Sequence, residues 1–130
     1  MTKLQRFFVG TYSRGGGDLF TIQLDPGRAT LSCGPTYEGL ESPSFLARRG
    51  DCLYAVSERE NGGAIASFRM DENGTLTRTA LIDAPYPALC HVCVWPDGKA
   101  VSFASYLGGG MLTCALRPDG SLDGAKTQWL

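Results

Sequence analysis

The residues best suited to chemistry lie in one short stretch and at the end of an earlier apolar run. The stretch is Cys90-His91-Val92-Cys93, which contains the only histidine of the chain. An imidazole beside a carboxylate can act as a general base, and Glu58 ends an apolar run of a similar kind. His91 and Glu58 are therefore the predicted catalytic pair. In the alternative interpretation, His91 is hydrogen-bonded between strands and Glu58 is a solvated strand end.

A second group of side chains could bind a small molecule. Its members stand at the ends of short apolar runs or in the glycine-rich segments that follow them. The arginines among them could dock an anionic substrate through charge-assisted hydrogen bonds, or simply keep these segments soluble. The predicted substrate-binding residues are Arg14, Arg59, Tyr12, Ser105 and Tyr106.

Cys90 and Cys93, on either side of His91, resemble a metal-binding or redox motif. Side chains alternate along a strand, so Cys90 and Cys93 are expected on opposite faces, with His91 on the face of Cys93. A tetrahedral zinc site needs converging ligands, and the sequence has no second Cys/His pair nearby. The same alternation argues against a local disulfide. We therefore predict no metal and no cofactor.

Charge and composition exclude several classes of partner. The 130 residues carry a net charge of −1 with no long run of either sign, so neither nucleic acid nor an anionic membrane is expected. No apolar run approaches the ~20 residues that a membrane span needs. The five cysteines are an odd number, typical of free thiols, and no signal sequence precedes the first strand pattern. These features predict a cytoplasmic protein.

The elements that position these residues recur along the chain. Leu24, Met70 and Leu116 are 46 residues apart, and each precedes a turn rich in Asp, Asn, Pro and Gly. Each repeat also has a glycine cluster, which a structural corner explains better than a phosphate cradle because no helical pattern follows it. Short apolar runs without helical periodicity make each repeat a β-meander.

A period of about 45 residues with four strands is typical of a β-propeller blade. The predicted fold is all-β: a partial propeller of about two and a half four-stranded antiparallel blades in one incomplete domain, residues 1–130. Strands are labelled A to D from the propeller axis outward. Blade 1 covers 5–41 and lacks strand A, blade 2 covers 42–86, and blade 3 covers 87–130. The predicted strands are A at 44–47 and 90–95; B at 7–11, 53–57 and 101–105; C at 19–24, 64–70 and 111–116; and D at 31–34, 76–82 and 125–130.

Strand direction predicts where the reactive groups meet. Antiparallel neighbours alternate in direction, so the start of strand A and the end of strand B share one rim of the propeller. His91 starts an A strand, whereas Glu58, Tyr12 and Tyr106 follow B strands. A small-molecule crevice near the axis on this rim is the expected site.

The predicted blades do not close a ring, since a complete propeller has at least ~4 of them. Blades bury their apolar faces against neighbours, and uncovered faces drive association. We expect self-association, or further C-terminal blades, to cover the open faces.

An ordered set of motifs resembles the 6-phosphogluconolactonase family of the β-propeller type, which also includes carboxymuconate cyclases. The likeness runs through nearly all of the chain. The motifs that carry it are Phe8-Val9-Gly10-Thr11-Tyr12, Pro43-Ser44-Phe45-Leu46-Ala47, Leu53-Tyr54-Ala55-Val56-Ser57-Glu58, Cys90-His91-Val92 and Pro96-Asp97-Gly98-Lys99.

The resemblance implies the N-terminal portion of a seven-bladed propeller and a lactone as the small-molecule partner. The implied reaction is the opening of a sugar lactone, such as 6-phosphogluconolactone, by base-activated water. His91 falls on the family's Cys-His-Val histidine, and Glu58 on the acidic end of its Leu-Tyr-Ala-Val motif. The alternatives are a lactonising enzyme similar to carboxymuconate cyclases, a propeller that serves only as a binding scaffold, and an inactive fragment.

Overall fold

A computed structural model describes residues 3–12 and 18–129. Arg14 and the first glycine cluster, 15–17, lie outside the described residues. The described part of the chain is made of β-strands and turns without a helix, which confirms the all-β prediction. The strands are β1 (Gln5–Val9), β2 (Asp18–Asp25), β3 (Thr30–Glu38), β4 (Leu46–Arg49), β5 (Cys52–Ser57), β6 (Gly63–Met70), β7 (Leu76–Ala84), β8 (Leu89–Val94), β9 (Ala100–Ser105), β10 (Met111–Leu116) and β11 (Leu122–Trp129).

The strands form three antiparallel sheets in chain order. The first sheet has the order β1-β2-β3, the second β4-β5-β6-β7 and the third β8-β9-β10-β11, read here from β8 outward. The first sheet thus lacks the inner strand that β4 and β8 supply to the other two. This arrangement confirms the prediction of a partial propeller.

Short turns rich in Asp and Gly join neighbouring strands, and their geometry comes from the aspartate side chains. Asp71 Oδ1 accepts hydrogen bonds from the backbone N–H groups of Asn73 and Thr75, both at 2.9 Å. Asp97 and Asp119 accept from the N–H two residues later in the same way. Such Asx turns fix the chain reversal locally, so the strand pairs form without help from distant residues.

The core lies between the sheets. Two clusters of buried side chains are present, one shared by the first and second sheets and one by the second and third. Strand β5 contributes to both, because its alternate side chains point to opposite faces. Thus Leu53 and Ala55 face the first sheet, while Tyr54 and Val56 face the third.

Gly10 shows how closely the first two sheets approach. A Cβ atom at this position would lie 1.8 Å from the carbonyl oxygen of Pro43, which no side chain can tolerate. The glycine therefore lets the end of β1 pass directly beside the segment that enters β4. This contact joins the two sheets at the rim where the candidate site lies.

On the opposite rim, each sheet is bonded to a turn of the next. Arg6 donates to the carbonyl oxygen of Glu72 at 3.2 Å, and Arg49 donates to that of Pro96 at 3.2 Å. The phenol of Tyr54 donates to the carbonyl oxygen of Gly120 at 2.7 Å. Burial is the largest cause of a pKa for Tyr54 well above its usual value, so this hydroxyl stays a donor.

The structure differs from the sequence prediction in strand boundaries and in one bulge. Strand β1 begins and ends two residues early, and the inner strand β4 begins two residues late. Leu89 pairs with Ser105 and His91 with Ala104, so Cys90 bulges out of the β8–β9 ladder. Strict alternation therefore fails here, and Leu89 and Val92 are both buried although they are three positions apart, which in a regular strand would put them on opposite faces. No helix within the described ranges is long and apolar enough to cross a membrane.

Strand β1 presents apolar side chains that its counterpart buries. By register, Phe7 and Val9 correspond to Leu53 and Ala55 of β5. The counterparts are at most 2% exposed because the first sheet covers them, whereas Phe7 is 48% exposed. Within the described residues, β1 is also hydrogen-bonded on one side alone. The face of β1 that carries Phe7 and Val9 therefore has the apolar composition of a buried surface but is exposed to solvent.

Replacing Tyr54 with Phe should lower the free energy of unfolding by about 1 kcal/mol, because the bond to Gly120 is lost and a buried carbonyl loses its donor. Urea unfolding measures the change. Tyr37→Phe is the matched control, since the Tyr37 ring packs edge-on against Phe68 at 4.8 Å while no hydrogen bond of its hydroxyl is recorded within the described residues. Equal effects of the two substitutions would contradict the role given to the inter-sheet bond.

Light scattering should give a mass above the 13.9 kDa of a single chain, because the face around Phe7 and Val9 is uncovered. Phe7→Lys should lower that mass by placing a charge on the face. Leu107→Lys, at an even more exposed apolar site in a loop, should leave the mass unchanged. A monomer at every concentration would disprove the expectation.

Candidate active site

Three side chains occupy equivalent positions, each just after the equivalent strand of one of the three successive sheets. Tyr12 and Glu58 are separated by one repeat of 46 residues and follow β1 and β5. Tyr106 stands at the same position after β9, because Ser57 and Ser105 end their strands in the same register. The repeat therefore brings one residue from each sheet to the same rim, as the sequence predicts.

The Glu58 carboxylate is held by two hydroxyl groups from two sheets. Tyr12 Oη donates to Glu58 Oε2 at 3.0 Å, and Ser44 Oγ donates to the same oxygen. Both donors bind Oε2, and within the described residues no hydrogen bond reaches Oε1. The side chain is thereby oriented by contacts between the first and second sheets.

The backbone behind these residues is strained in a repeated way. Ser42 and Ala88, 46 positions apart, have positive φ angles of 45° and 50°, which costs a non-glycine residue about 1 kcal/mol. The carbonyl of Ser42 accepts from the N–H of Glu58 at 3.0 Å, and that of Ala88 from the N–H of Tyr106 at 3.0 Å. This corner fixes where each strand-end residue leaves its sheet. Repeated strain of this kind is common at functional sites.

Ser105 supports the corner from inside the protein. Its hydroxyl donates to the carbonyl of Pro87 at 2.5 Å and accepts from the N–H of Gly108 at 2.9 Å. Ser57 makes the equivalent bond to the carbonyl of Glu41 at 2.5 Å. Ser105, predicted from sequence to bind substrate, is 7% exposed and uses its hydroxyl within the loop.

A cavity of about 1080 Å³ opens at this rim. It unites Tyr12, Glu58 and Tyr106 with residues that precede strands β4 and β8 or follow β5 and β9. Three of its side chains are carboxylates and one is a guanidinium. The lining consists of Tyr12, Glu41, Ser42, Glu58, Arg59, Glu60, Asn61, Ala88, Tyr106 and Leu107.

His91 lies beside this cavity rather than in its wall. It is exposed, and its ring packs against Phe45 with centroids 4.4 Å apart. By register, Phe45 and His91 are equivalent positions of the two inner strands. Between these two described residues, His91 and Glu58, the structure has neither a hydrogen bond nor an ion pair. The predicted catalytic pair is thus at one rim, but Ser44 and Phe45 stand between its members.

Arg59 contributes the guanidinium of the cavity. Its Nη2 lies 3.9 Å from Asp83 Oδ1, and its buried Nε has no hydrogen-bond partner within the described residues. This Nε is closed to solvent, so a ligand could accept from it only after the side chain moves, and an unpaired buried donor of this kind costs free energy. Of the two predicted anchoring arginines, Arg59 lines the cavity, whereas Arg14 is outside the described residues.

The cavity or clamp residues that were not predicted from the sequence are Glu41, Ser42, Ser44, Glu60, Asn61, Ala88 and Leu107. Ser44 could have been found, because Pro43-Ser44-Phe45 aligns with Leu89-Cys90-His91 in the repeat. Glu41, Glu60 and Asn61 lie in loops between strands, where no periodicity indicates which way a side chain points. Within the described ranges, no group of three or more His, Cys, Asp or Glu side chains could hold a metal ion.

The fold and the cavity together define a class: a β-propeller whose strand ends build an acidic, tyrosine-flanked crevice on one rim. The chain belongs to the family described as lactonase, 7-bladed beta-propeller, whose sequence model matches residues 6–129. The match confirms the family inferred from the motifs and the seven-bladed architecture that it implied.

Solved structures and curated relatives agree with this assignment. A candidate 6-phosphogluconolactonase from Bacteroides uniformis is 28% identical with a TM-score of 0.85, over 100% of this chain and 38% of its own. Another from Bacteroides fragilis is 26% identical with a TM-score of 0.81, over 94% and 35%. An uncharacterised protein of Staphylococcus saprophyticus is 29% identical over 78% of this chain. The chain spans only 30% of that relative's length.

The bond to Glu58 should be visible in the titration of Tyr12. The hydrogen bond to the carboxylate, followed by its negative charge, raises the pKa of Tyr12 because the phenolate can neither donate nor escape repulsion. Glu58→Gln should therefore lower the pKa of Tyr12, as followed by NMR of the tyrosine ring. Glu60→Gln is the control, because it removes a carboxylate from the same cavity without touching Tyr12. A Tyr12 pKa that is unchanged in Glu58→Gln would refute the clamp.

Proposed function

We propose that this rim cavity is the active site of a lactone hydrolase that opens a sugar lactone with base-activated water. The observation that carries the proposal is the cavity itself, where an oriented carboxylate faces space for a sugar-sized ligand. The family and the names of the two Bacteroides relatives support the reaction class. The activity proposed is that of the whole propeller, of which this chain supplies the described sheets.

Glu58 is the proposed general base. Tyr12 and Ser44 fix one carboxylate oxygen, so the other is presented to the cavity in a single orientation. A water molecule bound there would give its proton to Glu58 as its oxygen attacks the lactone carbonyl. The carbonyl carbon becomes tetrahedral, and the ring C–O bond then breaks as the leaving alkoxide takes up a proton.

The charge that forms on the carbonyl oxygen needs hydrogen-bond donors. The Arg59 guanidinium, the side-chain amide of Asn61 and the hydroxyl of Tyr106 are donors on residues that line the described cavity wall. A donor placed at an oxyanion is worth ~10²–10³ in rate when the site is dry. Arg59 is the stronger candidate, because its guanidinium carries a positive charge and forms charge-assisted hydrogen bonds.

His91 remains a second candidate base, contributed by the inner strand of the third sheet. Its exposed ring and its packing on Phe45 place it at the same rim, next to the residue that follows Ser44. The two candidates differ in what their loss should do. If Glu58 is the base, His91 affects substrate positioning at most.

Lactone opening, followed by acid release, tests these roles in this chain and in a full-length relative with the same residues. Glu58→Gln should lower kcat by ~10²–10⁴-fold, the usual contribution of a positioned base. His91→Gln should lower it less. Cys93→Ala, which changes an exposed side chain on the same strand as His91, is the control and should have no effect.

A full rate in Glu58→Gln together with a large loss in His91→Gln would transfer the role of base to the histidine. Full rates in both variants would remove the proposed mechanism.

A further inference from the structure

The charged side chains of the cavity wall determine which kind of sugar lactone it can accept. Its ionisable groups are the carboxylates of Glu41, Glu58 and Glu60 and the guanidinium of Arg59, apart from the tyrosines. The described wall therefore has an excess of two negative charges. The guanidinium is also shared, since Arg59 Nη2 lies 3.9 Å from the carboxylate of Asp83.

Two aromatic side chains flank this acidic wall. Tyr12 and Tyr106 are 75% and 79% exposed. Tyr12 is held through its hydroxyl by Glu58, and Tyr106 is held through its backbone N–H by the carbonyl of Ala88. Exposed tyrosines beside a cavity offer apolar ring surface together with a hydroxyl, which suits a ligand with both C–H faces and hydroxyl groups. Glu58 stands between them at the equivalent position of the second sheet.

Carboxylates and tyrosines together favour a neutral polyhydroxylated ring. Ionised carboxylates only accept hydrogen bonds, and sugar hydroxyls are donors that can satisfy them. A phosphate monoester would instead bring about two negative charges to a wall that is already acidic, and the guanidinium that the described wall contributes is shared with Asp83. The Arg59 guanidinium can also donate to an uncharged carbonyl or ring oxygen.

We infer that the cavity selects a neutral, unphosphorylated sugar lactone over its phosphorylated counterpart. The inference rests on the proposed function and narrows it to a substrate class. The acidic residues Glu41 and Glu60, which have no part in the proposed chemistry, act as specificity determinants by repelling anionic substrates. Tyr12 and Tyr106 contribute affinity for the ring without regard to its charge.

The test uses hydrolysis-resistant probes with this chain: D-glucono-1,5-lactam and its 6-phosphate, titrated at low ionic strength with amide NMR shifts around Glu58 and Tyr106 as the readout. The neutral lactam should bind at least ~10-fold more tightly than the phosphate. Added salt should narrow this gap, because screening weakens the repulsion.

Variants separate charge from shape. A double substitution, Glu41→Gln and Glu60→Gln, should bring the two affinities within ~3-fold of each other by raising that of the phosphate. Tyr106→Ala should weaken both probes by a similar factor and leave their ratio unchanged. Glu72→Gln, an exposed carboxylate in a turn on the opposite rim, is the matched control and should change neither affinity.

Equal or tighter binding of the 6-phosphate would overturn the inference and leave sugar-lactone hydrolysis standing. Selective binding of the neutral lactam, without hydrolysis of the matching lactone by this chain or by the full-length relative, would support the inference and remove the proposed function. Shifts from neither probe would overturn the inference, and the hydrolysis assay would then decide the proposed function by itself.

Discussion

The packing of each sheet against the next is the interaction on which the rest of the structure depends. A single four-stranded sheet has two broad faces, and here β5 buries one face against the first sheet and the other against the third. Hydrogen bonds from Arg6, Arg49 and Tyr54 to turns of the following sheet fix the relative rotation of the sheets at one rim. The opposite rim can then hold side chains from different sheets at bonding distance, as it does for Tyr12 and Glu58.

The candidate site depends on this packing of the sheets and on a few local features at the rim. Gly10 lets the first sheet approach closely enough for Tyr12 to reach Glu58, and the strained residues Ser42 and Ala88 aim the strand ends at the cavity. The buried serines Ser57 and Ser105 hold the loops behind these corners. The reactive groups are thus carried by rigid elements, which is what precise orientation of a base requires.

The repeat period made most of the fold predictable, because turn residues such as Asp71 and Asp119 recur at a fixed spacing and act locally. Strand order and the shared rim of Glu58, Tyr12 and Tyr106 followed from antiparallel pairing alone. The sequence did not indicate that His91 and Glu58 would fail to bond to each other, since the bulge at Cys90 changes which way the start of β8 points. The loop carboxylates Glu41 and Glu60 were missed because the direction of a loop side chain depends on tertiary contacts rather than on periodicity.

The repeated corner at Ser42 and Ala88 has an evolutionary consequence. The carbonyl of the corner residue accepts a hydrogen bond from the backbone N–H of the strand-end residue in the same sheet. Because this bond involves main-chain atoms, the side chain at the strand-end position can change without loss of the bond. This position carries a carboxylate, Glu58, in one blade and a phenol, Tyr106, in another. A ring of such interchangeable positions allows the chemistry of the rim to diverge one blade at a time while the architecture stays constant.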